Sequence, residues 1–252
     1  MKRIIYIITL LALPLLSLGN DQVNTLFAKA NEQYTKGRYK EAIQTYQSIL
    51  NDGYQSASIY FNLGNAYYKQ GEIPSAILYY EKAHKVAPGD ADIQFNIQLA
   101  NSKTTDKIEP APEFFLTKWC DAFVLGFAIN TWAVLSILLF VTGFGLLTVY
   151  LFAQSVGIKK AAFFASAGLI FLGLLTILLA ANQSRYFAAH HQAIVFSTSV
   201  TVKSEPGPSA KNLFVIHNGT KVDILENNNS WMRIKLANGN EGWIAVTDVK
   251  NI

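Results

Sequence analysis

Two stretches without a single Asp, Glu, Lys or Arg, Ala122 to Ile158 and Ala161 to Asn182, constrain this chain more than any other feature. A bilayer core of about 30 Å takes about 20 apolar residues of helix, so each stretch is long enough to cross once. Between them, Gln154 to Lys160 is short and carries Lys159 and Lys160. The expectation is a helical hairpin, with one transmembrane helix over 122–153, a loop over 154–160 and a second over 161–182. Its two flanks then share one side of one membrane. Short basic loops stay cytoplasmic, which puts this loop inside and both flanks outside. The spans hold no Asp, Glu, Lys, Arg or His, and their few polar residues, Asn130, Thr142, Thr148, Ser166 and Thr176 among them, argue against an ion or proton path. Gly143, Gly145, Gly168 and Gly173 are candidates for close helix packing.

The rest of the composition follows from the hairpin. Hydrophobic residues make up 51% of the 252, which is high until the spans are set aside. The net charge of +4 does not come from a basic patch: residues 20–113 carry 9 Lys/Arg against 11 Asp/Glu, and residues 183–252 carry 7 against 5. Neither segment has the footprint of a nucleic-acid binder. Residues 1–19 have a charged start, Lys2 and Arg3, an apolar run from Ile4 to Leu18, and small residues at Ser17 and Gly19, as in a secretory signal peptide. Cleaved, or kept as an anchor, it sends the following residues across the membrane. Cys120 is the only cysteine, so no intrachain disulfide can form; at a membrane edge it is expected to be a buried small residue.

A repeat governs residues 20–101. Shifted by 34 residues, Phe27, Asn31, Tyr34, Gly37, Ala42, Ile43 and Tyr46 fall on Phe61, Asn65, Tyr68, Gly71, Ala76, Ile77 and Tyr80. The second copy, with Tyr60, Leu63, Gly64, Tyr67, Ala76, Tyr80, Ala83 and Pro88, resembles the tetratricopeptide pattern at its own spacing. Two repeats, 23–56 and 57–90, and one capping helix that ends near Asn101 make a small all-α solenoid. Ser102 to Asp121, with Pro110 and Pro112, is expected to be a linker that approaches the membrane.

From residue 190 the period changes to short runs rich in Val, Ile, Phe and Trp, separated by Pro206-Gly207, Asn218-Gly219, Asn227–Ser230 and Asn238-Gly239. Five or six strands in about 60 residues make a small all-β barrel. Val202 to Pro206, Gly219 to Val222, and Trp231 to Ile234 followed by Gly239 to Ile244 resemble the bacterial SH3-like domain.

No catalytic constellation is present in the sequence: no phosphate-binding loop, nucleophile elbow or zinc-protease motif. His190 and His191 are adjacent and diverge on a helix, so no metal and no cofactor is expected. The stronger signal is a ladder at helical spacing: Phe27, Asn31 and Tyr34, then Phe61, Asn65 and Tyr68, then Phe95. The tetratricopeptide resemblance implies that this face lines a concave groove for extended peptides. Phe27 and Phe61 stand where one subset of that family has basic residues for a C-terminal carboxylate. Two readings are open, a partner-binding face or aromatics that only fill the inner curve. In the barrel, Trp231 and Trp243 are either ligand aromatics or core.

The order of signal, two repeats, hairpin and SH3-like barrel resembles the BatE-type proteins of the Bacteroides aerotolerance operon, as does the run Asn101 to Pro110 ahead of Phe114-Phe115 and Trp119. That resemblance implies a Gram-negative inner membrane, both soluble domains in the periplasm, and neighbours with von Willebrand factor A domains and a MoxR-type ATPase. The expected function is a non-enzymatic scaffold that binds protein partners. The alternative is a cell-wall anchor or sensor that binds peptidoglycan through the barrel.

Overall fold

A computed structural model describes residues 21–112 and 114–252; the expected signal segment 1–19 lies outside them. The chain divides into two compact units, one ending at Gln55 and one from Ser56 to Ile252.

The first unit is a helical hairpin, α1 (Asp21–Thr35) and α2 (Tyr39–Asn51). Gly37, at φ +74°, makes the turn: its N–H bonds Tyr34 O, and the Arg38 N–H bonds Gln33 O, satisfying carbonyls that a helix end leaves open. Ala30, Ala42, Ile43, Tyr46 and Ile49 close the small core.

The second unit opens with the next repeat, α3 (Ala57–Lys69) and α4 (Ile73–Val86), followed by α5 (Ala91–Asn101). Ser56 caps α3 by accepting from the Ile59 N–H, and Asp90 caps α5 by accepting from Asp92 and Ile93. Gly64 lets α3 and α4 approach, since a Cβ there would sit 2.6 Å from the Tyr80 ring. Pro88 is buried behind α4, and α5 packs on that helix with Ile93 and Ala100 fully inside.

Residues 102–112, expected to be a linker, are a strap fastened at both ends. The Lys107 ammonium donates to the carbonyls of Asn101, Ser102 and Thr104 at 2.9, 3.0 and 2.8 Å, neutralising the C-terminal end of α5. Ile108 packs against the barrel core, and the Ala111 N–H donates to Ala237 O at 2.8 Å.

The first apolar stretch is not one helix. It breaks at Gly126–Ala128 into α6 (Phe115–Leu125) and α7 (Ile129–Phe152), so the helix long enough to cross starts at 129 rather than 122. Apolarity alone gave no sign of the break, which polar bonds hold: Trp132 Nε1 donates to Val124 O, and the buried Gln183 amide donates to Phe127 O. Cys120, expected inside, is exposed on α6.

α8 (Val156–Ala189) returns beside α7. The buried positions of α8, Ala162, Ser166, Gly173, Thr176 and Gln183, advance by steps of 4, 7, 3 and 7; Trp132, Ser136 and Gly143 on α7 advance by 4 and 7. That is a 3.5-residue seam, the pattern of a left-handed pair. Its contact is reciprocal: Gly143 faces Ile170, and Gly173 faces the Phe140 ring. Gly145 and Gly168 lie off the seam, where a Cβ would meet nothing within 4 Å, so of the four glycines Gly143 and Gly173 do the packing. Hydroxyls bond back to their own helices, Ser166 to Phe163 O and Thr176 to Gly173 O, which satisfies those two donors in an apolar medium.

The barrel is one antiparallel sheet in the order β3-β2-β6-β5-β4-β1-β7. Its strands are β1 (Gln192–Val195), β2 (Ser199–Lys203), β3 (Asn212–His217), β4 (Lys221–Asn228), β5 (Trp231–Lys235), β6 (Glu241–Ala245) and β7 (Val249–Asn251). Val195, Val200, Val202, Ile216, Val222, Met232, Ile234 and Ile244 form the core. Gly242 permits the β2–β6 crossing, where a Cβ would collide with Val202 and Lys203. β7, preceded by a 3₁₀ turn at Val246–Asp248, goes beyond the expected strands and pairs outside β1.

The barrel is docked on the repeat. Ile194 of β1 is fully buried in one cluster with Ala76, Ile77, Tyr80 and Ala100. α5 caps the second repeat, and β1 of the barrel covers the side of α4 and α5 that this single helix leaves open.

Candidate partner-binding surfaces

The sequence ladder rests on tyrosines of the second helices. Within the first unit, Tyr46 donates to Asn31 Oδ1 at 2.5 Å and its ring lies 6.0 Å from that of Phe27. Within the second, Tyr80 donates to Asn65 Oδ1 at 2.7 Å and its ring lies 5.9 Å from Phe61. The tether recurs because both copies have Asn and Tyr fifteen positions apart. Tyr34 lies edge-on to Tyr39 at 5.3 Å, and burial, then the neighbouring Tyr39, raises its pKa.

On α3 and α5 the same face is continuous. Asn96 Nδ2 donates to Asn65 Oδ1 at 3.0 Å, so the Asn65 oxygen is taken twice and what it can offer a ligand is its amide N–H groups. Phe61, Asn65 and Tyr68 are half-buried, whereas Phe95 is 63% exposed and Leu99 is exposed one turn on. Phe95 on an ordered helix is the most open large aromatic of the repeat. Behind this face Tyr67 stacks flat on Tyr79, and burial, followed by Tyr79 and Glu72, pushes its hydroxyl up to about 12.

The barrel tryptophans are not core residues. β5 alternates so that Met232 and Ile234 go inside, which leaves Trp231, Arg233 and Lys235 on the outer face; Trp243 stands opposite Arg233 and opposite Lys203. Both tryptophans are half-buried, diagonal neighbours across β5 and β6.

Sequence reasoning missed the polar joint between strap, repeat and barrel. The Asp106 carboxylate accepts from the His217 backbone N–H at 2.6 Å, from Thr220 Oγ1 at 2.7 Å, and lies 2.7 Å from His217 Nδ1. Burial pushes the Asp106 pKa up, but the bonds from Thr220 and His217 outweigh it and hold it below its ordinary value. Glu81, only 5% exposed, pairs with Lys221 at 2.7 Å, and Lys85 donates to Ile252 O at 2.9 Å. Burial lowers the His84 pKa, with Glu81 opposing the shift and Lys221 adding to it. A cleft of about 420 Å³ lies along the strap, lined by Asp106, Lys107, Ile108, Thr220, Lys221 and Ala237 among others. Among the described residues no group of His, Cys, Asp and Glu is arranged to hold a metal; His190 stacks on Tyr186 instead.

Residues 198–250 match the bacterial SH3 domain family, residues 57–90 the tetratricopeptide repeat family, and residues 30–71 a further TPR repeat family. The chain is similar in structure to the Yersinia enterocolitica type III secretion chaperone SycD in complex with a peptide of the translocator YopD, at 16% identity and a TM-score of 0.31, covering 63% of this chain and 97% of that one. It is also similar to an NlpC/P60 family protein from Bacillus cereus, at 20% identity and a TM-score of 0.21, covering 27% of this chain and 23% of that one. Comparison with curated proteins gives no match. The chain is a multi-domain protein of tetratricopeptide-like helices, two helices long and apolar enough to cross a membrane, and a C-terminal SH3-like antiparallel sheet.

Proposed function

We propose that this chain is a non-enzymatic scaffold of the inner membrane, anchored by the hairpin, whose repeat face holds an extended segment of a partner protein in the periplasm. The observation that carries the reading is the face formed by Phe61, Asn65, Tyr68 and Phe95, where Phe95 stays open to solvent on an ordered helix while its neighbours are held from behind. Exposed aromatics on a rigid support are the usual anchors of protein interfaces. Lys159 and Lys160 lie in the first turns of α8 rather than in the expected loop over 154–160, and with no acid near that end of the hairpin they support a cytoplasmic turn and periplasmic flanks. The BatE-type resemblance supports an envelope complex related to aerotolerance, with von Willebrand factor A-domain proteins and a MoxR-type ATPase as neighbours. The test is photo-crosslinking in cells from position 95, with position 69 on the same repeat as control. One discrete adduct at 95, lost when Tyr68 is replaced by Ala, supports the reading; equal labelling at 95 and 69 refutes it.

A second reading has its own observation, the diagonal pair Trp231 and Trp243 on the outer face of β5 and β6 beside Arg233 and Lys203. Aromatic planes beside cations suit sugar and peptide ligands, so the barrel would bind cell wall. The detergent-solubilised full chain should then sediment with purified peptidoglycan, and Trp231→Ala with Trp243→Ala should abolish it. No sedimentation of the parent chain removes this reading.

A further inference from the structure

The break at Gly126–Ala128 turns α6 away from the spanning helix. In an unbroken helix Trp132 would lie about 12 Å along the axis from Val124, at 1.5 Å per residue. Instead Trp132 Nε1 bonds Val124 O at 3.3 Å, and its ring meets Phe123 at 5.8 Å and Phe127 at 5.2 Å. The Trp132 indole therefore braces the bend, and α6 packs beside it against α8. Val124 is buried there, while Phe115, Trp119 and Phe123, spaced i, i+4 and i+8, are all exposed, Trp119 at 76%.

An aromatic row on a helix that ends three residues before a proposed membrane span lies within reach of the lipid surface. We propose that α6 lies flat in the headgroup region of the bilayer, with Phe115, Trp119 and Phe123 inserted into the acyl boundary and Val124 facing the hairpin. The occupant is lipid rather than protein for two reasons. The helix is pinned at the start of α7, at the height where the hydrocarbon begins. Its stripe is also made of the bulky aromatics that settle at membrane interfaces. The proposal rests on the reading of α7 and α8 as membrane-spanning.

Spin labels in the full chain, reconstituted into lipid nanodiscs, test both separately. In a Cys120→Ser background, single cysteines replace Phe115, Trp119, Phe123 and, as a control in mid-span, Val141. Collision rates with oxygen and with a water-soluble nickel chelate give the depth of each label. The expected result is a deep label at 141, and labels at 115, 119 and 123 at one shallow depth, within about 3 Å of each other. A helix running on into the bilayer would instead step by about 6 Å for every four residues, and that pattern overturns the proposal. So do labels at 115, 119 and 123 as accessible to nickel as a free loop, or labels shut off from both agents by a second copy or another protein. A nickel-accessible label at 141 overturns the spanning reading itself.

Discussion

Replacing Asp106 by Ala should unfasten the strap and loosen the barrel from the repeat. The substitution removes an acceptor that serves the His217 N–H, the His217 ring and the Thr220 hydroxyl at 2.6–2.7 Å, and the Asp106 side chain is only 17% exposed. A hydrogen bond to a charged group is worth about 1.5–3 kcal/mol, and the bonds of one network do not add. A total of about 2–4 kcal/mol is expected for the cluster, which is roughly a 30- to 1000-fold rise in local opening. Hydrogen exchange of the full chain in detergent measures that rise over 102–112 and 216–221, while α7 and α8 serve as internal controls. The same clamp carries a pH signature. Because the Asp106 pKa is lowered in the folded state, its contribution is complete above the ordinary carboxylate pKa and is lost as pH falls below it. Opening of 102–112 should therefore increase on acidification in the parent chain and show less of that dependence in Asp106→Ala. Exchange in the variant within threefold of the parent at neutral pH would refute the reasoning.

Three further outcomes follow from the packing. Gly173→Leu sets a bulky side chain against the Phe140 ring, where even a Cβ sits 3.1 Å away, and should cost the hairpin about 1–3 kcal/mol; unchanged unfolding in a detergent titration would contradict the seam. Gly64→Leu collides with Tyr80 and should lower the melting temperature of the repeat helices, followed by circular dichroism, whereas Gly145→Leu in the hairpin should be silent. Tyr67, raised to about 12, should be among the last phenols to ionise in an absorbance titration. Its neutral form is favoured by folding, so its contribution is present below pH 10 and fades as pH rises towards 12; a Tyr67→Phe variant whose alkaline unfolding is unchanged would sink that claim.

The repeats were legible because a 34-residue shift superposes whole side-chain sets, and the paired Asn and Tyr were visible in it although their bond was not. The outer placement of Trp231 was also present in the chain: once Met232 and Ile234 are assigned to the core, a two-residue period puts Trp231 on the other face. Asp106 could not be read this way. Its partners are 111 and 114 residues further on, and locally it sits in a polar, proline-bearing run that looks like a linker. The break before α7 was hidden because apolarity counts residues and is blind to whether their helix is continuous. The polar group that stabilises it, Gln183, comes from the opposite helix.

α8 runs without interruption from the membrane loop to Ala189, and β1 begins after only His190 and His191. Past Asn182 that helix has seven residues left, about 10 Å of rise. With α8 spanning as proposed, the barrel has a short, stiff stem in place of a tether, and its working radius ends close to the lipid surface. In that arrangement whatever the barrel binds meets it at the membrane, and a tilt or turn of α8 is delivered to the barrel and, through Ile194 and the Glu81–Lys221 pair, to the repeat docked on it.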